Sequence, residues 1–153
     1  MFMTADYDEK FMSKALEQAR KAFNCDEVPV GAVIVREGKI ISRGYNRKEE
    51  TRLATRHAEI AAIEKACKKL NNWRLTDCEI FVTLEPCMMC LGAIMEARIK
   101  RIVYGTMDIR FGFLRYFKDN QIDYPYNFEY RSGVLQEDAA RLMKDFFRMR
   151  RGG

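Results

Sequence analysis

The sequence predicts an α/β fold, a mixed five-stranded sheet covered by helices on both faces. Three observations carry this. Segments of helical spacing alternate with short β-rich runs in the order α-ββ-α-β-α-β-(α)-β-α. No internal repeat, low-complexity tract or Pro/Gly/Ser-rich linker divides the 153 residues, so one domain over 1–153 is expected. About twenty residues separate the runs near 103 and 130, enough for a crossover, so those two strands are expected to be parallel.

Each element has its own signal. Residues 8–24 place Met12, Ala15, Leu16, Ala19, Ala22 and Phe23 at helical spacing. Val30–Val35 and Lys39–Tyr45 are β-rich, and Arg36-Glu37-Gly38 between them reads as a hairpin. His57–Leu70 is a second helix with Ile60, Ile63, Cys67 and Leu70 on one stripe, followed by a strand at Glu79–Leu84. Pro86–Ala97 is a third helix, apolar nearly all round except for Glu96, which demands cover from its own domain or from a second copy. Arg101–Gly105 is a strand, 113–121 is weakly helical, and a short strand is expected within 127–134. Ala139, Leu142, Met143, Phe146 and Phe147 form a last helix that ends in Arg148, Arg150 and Arg151.

Composition narrows the class. The charge of +5 is modestly basic, compatible with a polyanion partner and equally with a slight Lys/Arg excess. No run approaches the roughly 18 unbroken apolar residues of a membrane span. The acidic start MFMTADYDEK lacks a basic-then-apolar signal, so a cytoplasmic protein is expected. Five cysteines is an odd number, which argues for reduced thiols, some of them ligands.

Two segments carry chemistry: His57-Ala58-Glu59 and Pro86-Cys87-Met88-Met89-Cys90, each opening a helix. Cysteines three apart share a helix face and can reach one ion. Pro86 suits a first helical turn, and the partial positive charge of a helix N-terminus favours the thiolate that a metal needs. One His and two Cys make three protein ligands and leave a fourth tetrahedral position for water, the pattern of a catalytic zinc site with one Zn2+ per chain. Glu59 stands two residues from His57, about 200° away in mid-helix. The two converge only at a first turn, where Glu59 can take a proton beside the metal without ligating it.

Blander readings compete. A strand followed by CxxC and a helix is also the setting of a thiol-redox site, but Met-Met fills the gap and the His-Ala-Glu helix would go unexplained. A zinc ribbon needs a second CxxC, which is absent. His57 is the only histidine, so a decorative role for it would leave zinc without a nitrogen ligand.

With Asp26-Glu27-Val28-Pro29-Val30-Gly31-Ala32, Gly44-Tyr45-Asn46-Arg47, Thr83-Leu84-Glu85-Pro86-Cys87-Met88-Met89-Cys90 and Phe146–Arg151, the chain resembles the tRNA-specific adenosine deaminases of the cytidine/deoxycytidylate deaminase superfamily from about residue 8 to 151. The resemblance implies a cytidine-deaminase-like three-layer fold and one CMP/dCMP-type deaminase domain. It implies that Val30, Asn46, Ala58 and Leu84 line a purine pocket and that Asp108 approaches the target ribose. It also implies a homodimer and hydrolytic conversion of adenosine to inosine at the wobble position of a tRNA anticodon loop.

The chain departs from the bacterial pattern at Leu53-Ala54-Thr55-Arg56, which looks more like the catalytic subunit of the eukaryotic heterodimeric enzyme, as does Arg110-Phe111-Gly112. Where the family usually has a Gly/Ala/Ser-rich turn after Asp108, this chain has Phe113-Leu114-Arg115-Tyr116-Phe117 and then Tyr124-Pro125-Tyr126. The eight Phe/Tyr of 111–130 can stack on splayed bases or, for about two-thirds of them, pack a rebuilt loop. Arg148, Arg150 and Arg151 can bind RNA phosphates or relieve the helix dipole. Cys25, Cys67 and Cys78 are assigned to packing. The rivals are a deaminase of free guanine- or cytosine-type nucleobases or nucleosides, a cytidine-acting editing enzyme, a silent zinc subunit lacking a proton shuttle, and a thiol-redox protein.

Overall fold

In a computed structural model that describes residues 4–117 and 125–152, the chain runs as α1 (Thr4–Asn24), β1 (Gly31–Arg36), β2 (Lys39–Tyr45), α2 (Lys48–Thr51), α3 (Ala58–Leu70), β3 (Cys78–Leu84), α4 (Met88–Glu96), β4 (Arg101–Thr106), α5 (Leu114–Phe117), β5 (Glu129–Arg131) and α6 (Gln136–Gly152). The five strands form one sheet in the order β2-β1-β3-β4-β5. β1 is antiparallel to both β2 and β3, whereas β3, β4 and β5 are mutually parallel. The parallel β4–β5 pair agrees with the length of the connection between them. Glu37 and Gly38 turn the β1–β2 hairpin with φ of 52° and 75°, the positive pair of a type I′ turn.

The strands alternate, and the alternation builds two cores. Val33, Val35, Phe81 and Val103 face α1, where they meet Phe11, Met12 and Ala15. Ala32, Ile34, Ile80, Val82, Ile102 and Tyr104 face α3 and α4, where they meet Ala62, Ala66, Leu91 and Ile94. A strand buried on both faces cannot show a polar alternation, so these runs read as continuously apolar. α6 packs beside α1 through the rings of Phe146 and Phe23, 5.9 Å apart.

Several boundaries and faces differ from expectation. α1 begins four residues early, because Tyr7 and Asp8 are held by tertiary contacts rather than by an apolar stripe. Asp8 is fully buried and takes both NH groups of Arg101 at 2.8 and 2.7 Å, with Arg131 at 2.7 Å. The buried face of α3 is Ala58, Ala61, Ala62, Ile63 and Ala66, while Ile60, Cys67 and Leu70 are only half-buried. Alanines win that face because α3 sits close on β2: a Cβ on Gly44 would lie 2.5 Å from the Ala58 carbonyl oxygen. Pro86 precedes α4 instead of occupying its first turn, since Cys87 is the N-cap. The short α2 has no signal in the sequence. Of the weak helix expected at 113–121, α5 spans Leu114–Phe117, and 118–121 lies outside the described residues.

Candidate metal centre and pocket

The ends of two helices meet over the sheet. His57 is the N-cap of α3 and Cys87 the N-cap of α4, both in extended backbone that turns the side chain across the open helix end. Cys90, one turn into α4, is fully buried beneath them. His57 Nδ1 lies 3.7 Å from Cys87 Sγ and 3.5 Å from Cys90 Sγ, and the three donor atoms fall within 4.8 Å of one another. A tetrahedral zinc with ordinary Zn–N and Zn–S lengths requires an N···S separation of about 3.6 Å. The observed distances fit, and the three donors can hold a metal ion.

The electrostatics favour the ligating form at Cys87. The hydrogen bond from Cys90, and then that with His57, hold the Cys87 thiol down to about 4, so it is a thiolate at neutral pH. Cys90, the donor in that pair, is pushed up. His57 is raised by its hydrogen bond with Cys87. Glu59 follows His57 by two residues at the first turn of α3, which is the placement the His-Ala-Glu spacing requires. Its carboxyl is buried, and burial pushes it up to about 7, the range where a carboxyl both accepts and returns a proton.

Of these groups His57, Glu59 and Cys87 line the floor of a cavity of about 380 Å³. Val30, Asn46, Ala58, Leu84 and Asp108 all line it. Asn46 is buried; its Nδ2 donates to the Val28 carbonyl at 3.2 Å and its Oδ1 has no partner among the described residues. Such an atom is costly to bury unless something pairs with it. The cavity is also lined by Val28, Lys48, Glu85 and Phe111, none of which stands out as a site residue from the sequence.

Glu85 explains how the wall after Asp108 is held. Its buried carboxylate accepts the backbone N–H of Asp108 at 3.1 Å and of Leu114 at 2.8 Å. Between these anchors Asp108 Oδ1 accepts the N–H groups of Arg110 and Phe111, both at 3.1 Å. Gly112 runs so close to the Glu85 carboxylate that no Cβ fits there. Phe111 is left 54 % exposed at the cavity rim with the Arg110 guanidinium 5.0 Å from its ring centre.

The other aromatics of this stretch divide. Phe113 is buried and in ring contact with Tyr104, Phe117, Phe128 and Tyr130, whereas Phe111 and Tyr116 are exposed. Tyr124 lies outside the described residues. Glu27 performs a similar task elsewhere, its buried carboxylate accepting the N–H groups of Glu49 and Glu50 at 3.0 and 2.7 Å and so capping α2.

Three predicted residues stand apart. Arg148, Arg150 and Arg151 sit at the end of α6 and do not line the cavity. Arg150 lies 3.9 Å from Asp26 and over the Phe146 ring. Of the cysteines assigned to packing, Cys78 is buried and Cys67 half-buried, but Cys25 is exposed just past the end of α1. Among the described residues no helix is long and apolar enough to cross a membrane.

The family model of the MafB19-like deaminases matches residues 6–151. A tRNA-specific adenosine deaminase of Rickettsia bellii is 49% identical over 90% of this chain and 97% of its own length. The chloroplastic tRNA(adenine(34)) deaminase of Arabidopsis thaliana is 42% identical over 94% of this chain, which spans 12% of that longer protein. A solved tRNA:A34 deaminase superposes with a TM-score of 0.81 and 40% identity, covering 87% of this chain and 98% of that one. A guanine deaminase from Nitrosomonas europaea superposes with a TM-score of 0.75 at 25% identity, over 90% and 83% of the two chains.

Proposed function

The chain belongs to the tRNA-specific adenosine deaminases, and from that premise we propose that it hydrolyses the wobble adenosine of a tRNA anticodon loop to inosine, with zinc as cofactor. The observation that carries the substrate is the identity gradient: 49% and 40% to tRNA deaminases over nearly whole chains, against 25% to the free-guanine enzyme.

His57, Cys87 and Cys90 would hold the zinc. When bound, zinc acts there as a Lewis acid that makes water a nucleophile at neutral pH. The residues of the chain do the rest. Val30, Ala58 and Leu84 offer apolar walls to the purine, and the unpaired Oδ1 of Asn46 is an acceptor for its exocyclic amine. Asp108, which lines the same cavity, would meet the ribose. Glu59 takes a proton from the attacking water, gives it to the ring nitrogen as the C–O bond forms, and carries a second proton to the amine as ammonia leaves. Adenosine and water become inosine and ammonia, and Glu59 ends in its starting form. The target must leave the stack to reach the floor, which suits an unpaired loop nucleotide.

The same reading makes residues 1–153 one deaminase domain that works in the cytoplasm as a homodimer. The exposed Met88 and Met89 on α4, with Leu53 and Met107, supply apolar surface for a second copy. Arg148, Arg150 and Arg151 are RNA-backbone contacts at the end of α6.

The test is to incubate the purified protein with total tRNA and, separately, with free bases and nucleosides. Inosine in an anticodon loop, with no ammonia from the panel, is the expected result; turnover of free guanine or cytosine without RNA activity would overturn it. Glu59→Ala should lower turnover by a factor of roughly 10³ while metal content stays at the wild-type level.

A further inference from the structure

The segment Tyr45–Lys48 divides two clefts. Asn46 and Lys48 turn into the pocket, while Tyr45 and Arg47 turn away from it into a second cleft of about 250 Å³. The dividing wall is one chain thick on each side, closed by the Arg47 N–H donating to the Arg56 carbonyl at 3.1 Å. Past it, His57 and Ala58 face the pocket whereas Arg56 and Ala61 face the second cleft.

This cleft is cationic. Arg47, Arg56, Lys65 and Lys68 line it, against one acidic side chain, Glu64. Glu64 meets Arg56 at 2.9 Å, and Glu50 meets Arg47 at 2.8 Å, which fixes both guanidiniums in direction. Among the described residues no carboxylate pairs with Lys65 or Lys68; Lys65 donates only to the neutral carbonyl of Arg43, at 3.0 Å. Burial, followed by the charges of Arg47, Lys21 and Arg56, pushes the Lys65 ammonium below its ordinary range, as an excess of like charge does.

Oriented guanidiniums beside unpaired ammonium groups suit a phosphate oxygen rather than a carboxylate-bearing side chain already supplied by the protein. The one-chain wall ties the cleft to whatever strand delivers a base to the pocket. We propose that the Arg47–Arg56–Lys65–Lys68 cleft binds a backbone phosphodiester of the RNA strand flanking the nucleotide held in the pocket. The inference rests on the tRNA reading above and adds a backbone anchor on the face of α3, away from the arginines of α6.

The test is the salt dependence of binding to an anticodon stem-loop hairpin, measured by anisotropy from about 50 to about 200 mM salt. Lys65→Gln/Lys68→Gln should flatten the slope of log K against log salt by about 0.7 for each single-stranded phosphate that is no longer neutralised. Lys65→Arg/Lys68→Arg should retain the wild-type slope, which separates charge from packing. Coincident slopes for the Gln variant and a wild type that edits the hairpin overturn the cleft. A wild type that neither binds nor edits the hairpin overturns the tRNA reading first, and the proposal with it. Inorganic phosphate alone, followed by its ³¹P resonance, is the second arm. Saturable phosphate binding that the Gln variant loses while its RNA slope stays unchanged would assign the cleft to a free anion and refute the proposal.

Discussion

Replacing Glu85 with Gln isolates the contribution of one buried carboxylate to the pocket wall. The side chain keeps its length and one carbonyl oxygen, so one of the N–H groups of Asp108 and Leu114 keeps an acceptor. The other faces an NH₂ group. A hydrogen bond to a charged acceptor contributes about 1.5–3 kcal/mol, and an orphaned buried donor costs about 1–3 kcal/mol. The two descriptions overlap, so the expected loss is about 2–4 kcal/mol. For a chain of this size that is a fall in Tm of roughly 4–16 °C if the wall opens only with the whole protein. If it opens locally, the amide exchange of Asp108 and Leu114 accelerates by roughly 30-fold or more while Tm moves little. Hydrogen exchange resolved at these two amides is therefore the assay, with metal content measured alongside. A wall that loosens should raise KM for the RNA more than it lowers kcat, since it carries Asp108 and Phe111 but not Glu59. Unchanged protection at both amides, with an unchanged Tm, would refute the assignment of Glu85 as the residue that positions this loop.

Two further outcomes follow from the same geometry. Cys87→Ser should drop bound metal well below one ion per chain, and a chelator should lower the Tm of the wild type but not of this variant; at ligand concentrations about 1,000 times Kd the bound ion stabilises by about 4 kcal/mol. Equal chelator sensitivity in both would remove Cys87 from the ligand set. Asp8→Asn should cost about 3 kcal/mol at pH 7, because it leaves Arg101 and half-exposed Arg131 short of their buried partner. Burial pushes the Asp8 carboxyl up, but the hydrogen bonds and charges of Arg101 and Arg131 outweigh it and hold it below its ordinary value. A carboxyl depressed in the folded state stabilises above its unfolded value of about 3.9, and that stability is lost as pH falls through the folded one. Urea unfolding should therefore show a wide gap between wild type and Asp8→Asn at pH 7 that narrows below about pH 4. A gap independent of pH would mean that Asp8 acts through packing and not through its charge.

The order of elements was legible because burial imposes a period on the chain. Met12, Ala15, Leu16 and Ala19 mark α1, and the runs at 30–35 and 79–84 mark strands covered on both faces. The centre was legible for a different reason. A metal restricts its donors to few residue types, and a helix end restricts their spacing, so His57, Glu59, Cys87 and Cys90 stand out without a structure. Periodicity misjudged α3, where size mattered more than hydropathy: Ala58, Ala62 and Ala66 face the sheet because Gly44 lets the helix come close.

By itself, then, the sequence determined the α/β order and singled out three candidate donors and a candidate proton carrier, since each is written in a local pattern of spacing or residue type. Tertiary structure alone decided that His57 meets Cys87 and Cys90 at 3.7 and 3.5 Å, that Glu85 and Glu27 direct buried charge at backbone N–H groups, and that Arg47 and Asn46 face different clefts. A glutamate that accepts from two amides far along the chain has the same letter as one in solvent. Which backbone group comes within about 3 Å of it is fixed by how the helices close on the sheet, and no neighbouring residue records that.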